Sequence, residues 1–95
     1  MRGVRWSRDA QADLAKIDDE FDKIDPNTAS RVGTSAINAA RFLVDYPGAG
    51  PAVPNTRLRK WRVAGTPYIL LYRLADDDLF IVRVIHVARD RQQFL

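Results

Sequence analysis

The chain contains no cysteine. Disulfides and thiolate metal sites are thereby excluded, and the fold must stand on packing alone. That usage fits a reducing compartment, so a cytoplasmic location is the expectation. No apolar run approaches the roughly 20 residues of a membrane-spanning helix, and no membrane contact is expected. The opening Met1-Arg2-Gly3-Val4-Arg5-Trp6 lacks the apolar core of a secretion signal. Histidine occurs once, at His86. Gly-rich phosphate loops, nucleophile elbows and metal-ligand spacings are missing. The acidic run Asp18-Asp19-Glu20 does not change this, because three consecutive carboxylates on a helix splay apart. No metal and no cofactor is expected.

What is present describes a globular chain. Its 95 residues suit one domain, spanning 1–95, with a modest core whose stability a partner could raise. Charge is unevenly placed: residues 1–56 carry seven Lys/Arg against eight Asp/Glu, and residues 57–95 carry eight against four. The excess of +3 therefore sits in the C-terminal part, which suits an anionic ligand or simply a solvated surface.

Hydrophobic spacing outlines the elements. Val4-Arg5-Trp6 reads as a short strand, and Ser7 offers a helix N-cap with Asp9 in the first turn. Ala10, Leu14, Ile17, Phe21 and Ile24 then follow at helical spacing, predicting a helix over Arg8–Ile24. Asp25-Pro26 caps a second helix over Asn27–Asp45, with Ala29, Val32, Ala36, Ala39, Ala40 and Leu43 on one face. The short link makes the two an antiparallel hairpin. Residues 47–56 hold three prolines and read as a loop. Arg57–Val63, Tyr68–Leu74 and Leu79–Val87 read as strands, joined by Ala64-Gly65-Thr66-Pro67 and by a turn at Asp76-Asp77-Asp78. The last strand is apolar enough to need cover on both faces. The expectation is an α+β fold in the order β-α-α-β-β-β, an antiparallel sheet with the helical hairpin on one face.

Three segments together resemble one family. Arg5-Trp6-Ser7 leads into an amphipathic helix. Leu58-Arg59-Lys60-Trp61-Arg62-Val63 leads into Tyr68-Ile69-Leu70-Leu71-Tyr72-Arg73-Leu74. Ile81-Val82-Arg83-Val84-Ile85-His86-Val87-Ala88-Arg89-Asp90 is similar to an I-x-R-V-x-H-x-x-R ending. In this order they resemble ParE/RelE-type toxins of type II toxin–antitoxin systems, including plasmid-stabilisation members. The resemblance implies growth arrest by one of two routes: inhibition of DNA gyrase without catalysis, as in ParE-like members, or ribosome-dependent mRNA cleavage, as in RelE-like members. It also implies a cognate antitoxin, ParD-like, whose C-terminal segment wraps the toxin.

The residues weigh toward the first route. Lys60 and Arg62 match the basic pair of the nucleases and, two apart, share one face of their strand. The basic residue that the nucleases carry after the first hairpin tyrosine is Ile69 here, and no tyrosine follows Tyr72. No catalytic residue is assigned; a nuclease would have to use Lys60, Arg62, His86 and Arg89. Arg57, Arg59, Lys60, Arg62, Arg89 and Arg91 are expected to form one basic patch for a partner or nucleic acid. His86 is either an acid–base group or a backbone-bonded residue on the face of Phe80, Val82 and Val84. Arg83, expected on the face of Leu79, Ile81 and Ile85, either lines a basic groove or pairs with an acid of the helices. Trp61 either anchors a partner or packs in the core.

Overall fold

The structure is a computed structural model that describes residues 3–94, with side chains through Asp90. Strand β1 (Val4–Trp6) opens the chain, followed by helices α1 (Arg8–Asp22) and α2 (Pro26–Asp45), strands β2 (Arg59–Arg62), β3 (Tyr68–Ala75) and β4 (Asp78–His86), and helix α3 (Val87–Phe94). The sheet order is β1-β4-β3-β2. The meander β2-β3-β4 is antiparallel as expected. Strand β1 extends it in parallel, with Val4 opposite Leu79 and Trp6 opposite Ile81. The helical crossover brings β2 back in the direction of β1, and the two reversals of the meander then set β4 parallel to β1.

Local chemistry places both helix starts. Ser7 Oγ accepts from the Ala10 N–H at 2.9 Å. The Asp25 carboxylate accepts from Thr28 Oγ1 at 2.8 Å and from the Asn27 N–H at 3.0 Å, which holds its pKa below the ordinary aspartate value. Helix α1 ends at Asp22 rather than at Ile24. Ile24 lies past the cap and is 83% exposed, so it drops out of the apolar stripe.

Both sheet faces are covered. Under the helical hairpin, Ile17, Val32, Ala36, Ala40 and Leu43 meet Leu70, Tyr72, Leu79, Ile81 and Val84. On the other face a smaller cluster joins Ile69, Leu71 and Ile85 to Val53, with Leu58 and Val87 packed against it. The loop after α2 and the start of α3 therefore seal what would be an open sheet face. Strand β2 begins at Arg59 rather than Arg57, because Asn55 takes a positive φ of 62° and the Thr56 hydroxyl bonds both Val53 O and Leu58 N. Asp76 and Asp77 make the β3–β4 turn at positive φ, and Asp78 already belongs to β4. The tail, for which the sequence predicts no element, is helical.

One irregularity re-aims the last strand. Leu71 pairs with Arg83 while its neighbour Tyr72 pairs with Ile81, so Val82 is an extra residue, a β-bulge. Alternation resets there. Leu79 and Ile81 face the helices before the bulge; Val84 does so after it, and Ile85 faces away. Past the bulge the alternation expected from Leu79 and Ile81 no longer governs Arg83, whose guanidinium bonds Asp13 of α1. His86, opposite Tyr68, falls on the side of the helical hairpin.

The bulge lies just past the end of β1, where β4 becomes an edge. Helix α1 supplies the missing partners. Ser7 N–H donates to Ile81 O at 2.9 Å, and Ser7 Oγ donates to Val82 O at 2.6 Å. Asp13 accepts from the Val84 N–H at 2.9 Å and takes both Nε and Nη2 of Arg83, at 2.8 and 2.9 Å. These bonds push the Arg83 pKa further up. With the Asp13 side chain 16% exposed and that of Arg83 30%, the pair is partly shielded from water. Removing the carboxylate takes away the bidentate bond to Arg83 and the acceptor of the Val84 N–H. Asp13→Ala should therefore lower unfolding free energy by about 2–4 kcal/mol in a urea titration, and Asp13→Asn by less. A loss within about 0.5 kcal/mol for the alanine variant, the range of an ordinary surface change, would show that the clamp is dispensable.

Candidate functional site

The sheet separates the residues that a nuclease would need. Lys60 and Arg62 pair with Leu71 and Ile69, both of the smaller apolar cluster, and so lie on the face away from the helical hairpin. Ile69 is 6% exposed and Leu71 1%, so the surface beside the two cations is an apolar floor beneath Val53 rather than a polar cleft. His86 and Arg89 are on the other side. The Tyr68 ring stands edge-on to the His86 ring at 5.3 Å and to Phe21 of α1 at 6.5 Å. The expected single patch is therefore split: Lys60 and Arg62 go one way, Arg89 the other. Arg91 belongs to α3, but its side chain lies outside the described residues.

On the helix side, α1, β4 and α3 enclose a cavity of about 210 Å³ that Glu20, Tyr68, Arg83, His86 and Arg89 help to line. Most of its polar groups are committed. His86 Nδ1 accepts from the backbone N–H of Ala88 at 3.1 Å and of Arg89 at 3.2 Å, while the Asp90 carboxylate accepts from the His86 N–H at 2.9 Å. This is a reciprocal cap on α3, with imidazole in the place where serine or aspartate is usual. The backbone-bonded reading of His86 thus describes its position, although bonds to α3 replace burial as the reason. Arg89 reaches Glu20 at 3.6 Å and donates to Tyr68 Oη at 3.4 Å. Burial pushes the Tyr68 hydroxyl pKa up, against the pull of Arg89, so the phenol stays protonated near neutrality. Among the described residues no cluster of three or more His, Asp or Glu could hold a metal ion.

Arg83, His86 and Arg89 are the three polar members of the C-terminal motif. Each ties one element to the next: Arg83 joins β4 to α1, His86 joins β4 to α3, and Arg89 joins α3 to α1 and β3. Trp61 stacks on Phe42 of α2 at 5.2 Å and is half-buried against the main core, as its core reading expects. Arg59 Nη1 donates to Gly50 O at 2.7 Å, and Arg57 is exposed in the turn before β2. Tyr72, absent from the sequence candidates, fastens the same loop. Its hydroxyl donates to Pro47 O at 2.8 Å and accepts from Gly50 N at 3.0 Å. Only glycine fits at position 50, since a Cβ there would run into the Lys60 carbonyl oxygen and the Tyr72 hydroxyl. Asp13 was also missed. Its signal was a charge set three residues after Ala10 and four before Ile17, on the apolar stripe.

A helical hairpin thus lies on a four-stranded sheet whose last strand is braced by an Arg-His-Arg motif. The solved structure titled "Chromosomal ParDE TA system from P. aeruginosa" superposes with a TM-score of 0.79 at 24% identity, covering 90% of this chain and 96% of that one. YafQ from E. coli superposes less closely, with a TM-score of 0.51 at 24% identity over 93% of this chain and 96% of its own. Residues 4–91 match the family described as the ParE toxin of the type II toxin–antitoxin system parDE, and the chain belongs to it. Toxin RelE2 of Caulobacter vibrioides is 37% identical over 89 residues, 94% of this chain and 99% of that protein. Putative toxin Y4kP of Sinorhizobium fredii is 32% identical over 92 residues, 97% of this chain and 95% of that protein. The protein is thus a type II toxin of the ParE/RelE superfamily. No helix among the described residues is long and apolar enough to cross a membrane.

If His86 serves as a cap, its chemistry is replaceable. His86→Ala should cost about 0.5–2 kcal/mol of stability, and His86→Asn, which keeps an acceptor, should recover most of it together with growth arrest. Equal loss of growth arrest in both variants at unchanged stability would instead make the imidazole an acid–base group.

Proposed function

We propose that this toxin acts by binding, as an inhibitor of DNA gyrase in the cytoplasm, and that an antitoxin of the ParD type silences it by laying its C-terminal segment across the toxin. The observation that carries this reading is the split of Lys60 and Arg62 from His86 and Arg89 across the sheet. Metal-free RNA cleavage requires a base for the 2′-OH, cationic groups for the phosphorane and a proton for the leaving oxygen, all within reach of one phosphate. Ile69 fills the floor beside Arg62 where a further cation would be needed. Losing one preorganised charge slows such a reaction by about 10²–10³, and losing an acid–base group by about a further 10²–10⁴.

The alternative is a RelE-like, ribosome-dependent mRNA endonuclease, a reading supported by the name of the Caulobacter relative. Two assays on one preparation separate them. The expected result is impaired supercoiling, with gyrase trapped on cleaved DNA, and intact mRNA in primer extension on translating ribosomes. Codon-phased cuts with normal supercoiling would overturn the proposal. Lys60, Arg62, His86 and Arg89 would then be the first alanine substitutions.

A further inference from the structure

We propose that the outward stripe of α2 pairs with the same stripe of a second copy of this chain, antiparallel, about a two-fold axis at Asn38. This goes beyond the gyrase assignment and does not depend on it, since the toxin alone would form the pair. A solvated helix face ordinarily carries many charges, and the core of an interface few. The two helices of the hairpin differ in this respect. Helix α1 carries eight charged residues in fifteen, and α2 three in twenty: Arg31, Arg41 and Asp45. The exposed side of α2 instead presents Thr34 and Asn38, with Ile37 47% exposed and Phe42 42%.

The order of residues along the stripe is its own complement. Arg31, Thr34, Asn38, Phe42 and Asp45 follow at steps of three, four, four and three, and all five are exposed. Such steps keep them on one side of the helix. They also read the same in both directions. An antiparallel copy centred on Asn38 therefore sets Arg31 opposite Asp45, Thr34 opposite Phe42, and Asn38 opposite itself. Charge meets opposite charge and a small side chain meets a ring, each of them twice, as a two-fold interface requires. A parallel copy would set Arg31 on Arg31 and Asp45 on Asp45.

Independent features select a second copy over an unrelated partner. Among the described residues, neither Arg31 nor Asp45 is within salt-bridge distance of an opposite charge. Arg31 gives a long bond of 3.4 Å to the Thr28 hydroxyl. Asp45 lies in the last turn of α2, where a negative charge opposes the helix dipole, and no cation stands in that turn. The antiparallel copy supplies one, its own Arg31, and aligns the two dipoles head to tail. Phe42 is already stacked on Trp61 at 5.2 Å, so covering its ring costs little freedom. Contact along a single helix is small, and the pair is therefore weak and dependent on concentration.

Sedimentation of the full-length toxin over a range of concentrations tests this, and a monomer–dimer equilibrium is expected. Asp45→Arg should weaken the pair about tenfold or more, and so should Arg31→Asp. Together the two exchange the charges and should restore association to within about threefold of the parent. Both changes suit the dipole of α2, so melting of the dilute variants should not fall and loss of the pair is not loss of the fold. Asp22→Arg makes the same charge change at the end of α1 and should leave association unchanged. The register has its own test, because the chain holds no cysteine. Asn38→Cys should give a disulfide-linked dimer under mild oxidation, and Thr34→Cys should not. The two copies of Thr34 stand about 12 Å apart along the pair, beyond the roughly 7 Å that a disulfide spans. A monomer at every concentration would overturn the proposal. So would equal cross-linking at both positions, or a charge-exchanged variant as weak as either single one.

Discussion

The carboxylate of Asp13 is where helix and sheet become one structure. A parallel β1 of three residues leaves the second half of β4 as an edge, and an unpaired edge invites either water or another chain. Asp13 answers the Val84 N–H and neutralises Arg83 in one stroke, while Ser7 answers Ile81 and Val82. The bulge at Val82 depends on this arrangement, because its irregular carbonyl has a hydroxyl donor waiting. From the bulge follows the resetting of faces that puts His86 beside Tyr68 and Ile85 beneath Val53 and Val87.

In this chain the C-terminal Arg-His-Arg signature has an architectural role. Its arginine, histidine and second arginine are spaced so that each reaches a different neighbour: α1, the start of α3, and the Tyr68–Glu20 pair. Bracing of this kind involves no bond-making step. This is why the motif places the chain in a superfamily without choosing its target.

Much of the fold was legible in the sequence because its elements carry plain periodicities. The alanine face of α2, the Ser7 and Asp25 caps and the antiparallel meander all follow from spacing and cap chemistry. The faces of β4 were not legible, since a bulge adds one residue without any change of composition: Val82 looks like its neighbours. Arg83 and Asp13 were each visible as a charge in an apolar setting, and one of the readings of Arg83 was a helix acid. Naming that acid requires knowing that α1 lies along β4. For the site, the sequence grouped cations by their nearness in the chain, whereas a sheet sends alternate residues to opposite faces and a turn moves Arg57 off the strand. Tyr72 escaped notice because its hydroxyl fastens a loop 25 residues earlier.

The partnership of β1 with β4 also has a bearing on time. Gly3 meets Asp78, and Ser7 meets Val82, across 75 residues of chain. At about 5–20 residues per second, several seconds of synthesis separate one member of each pair from the other. The helical hairpin can form within microseconds of emerging, but its edge-covering groups then face no strand. The newborn protein must hold an apolar helical face and an unmatched Asp13 until β4 appears. Closure of the sheet edge is thereby deferred by topology until β4 has been made.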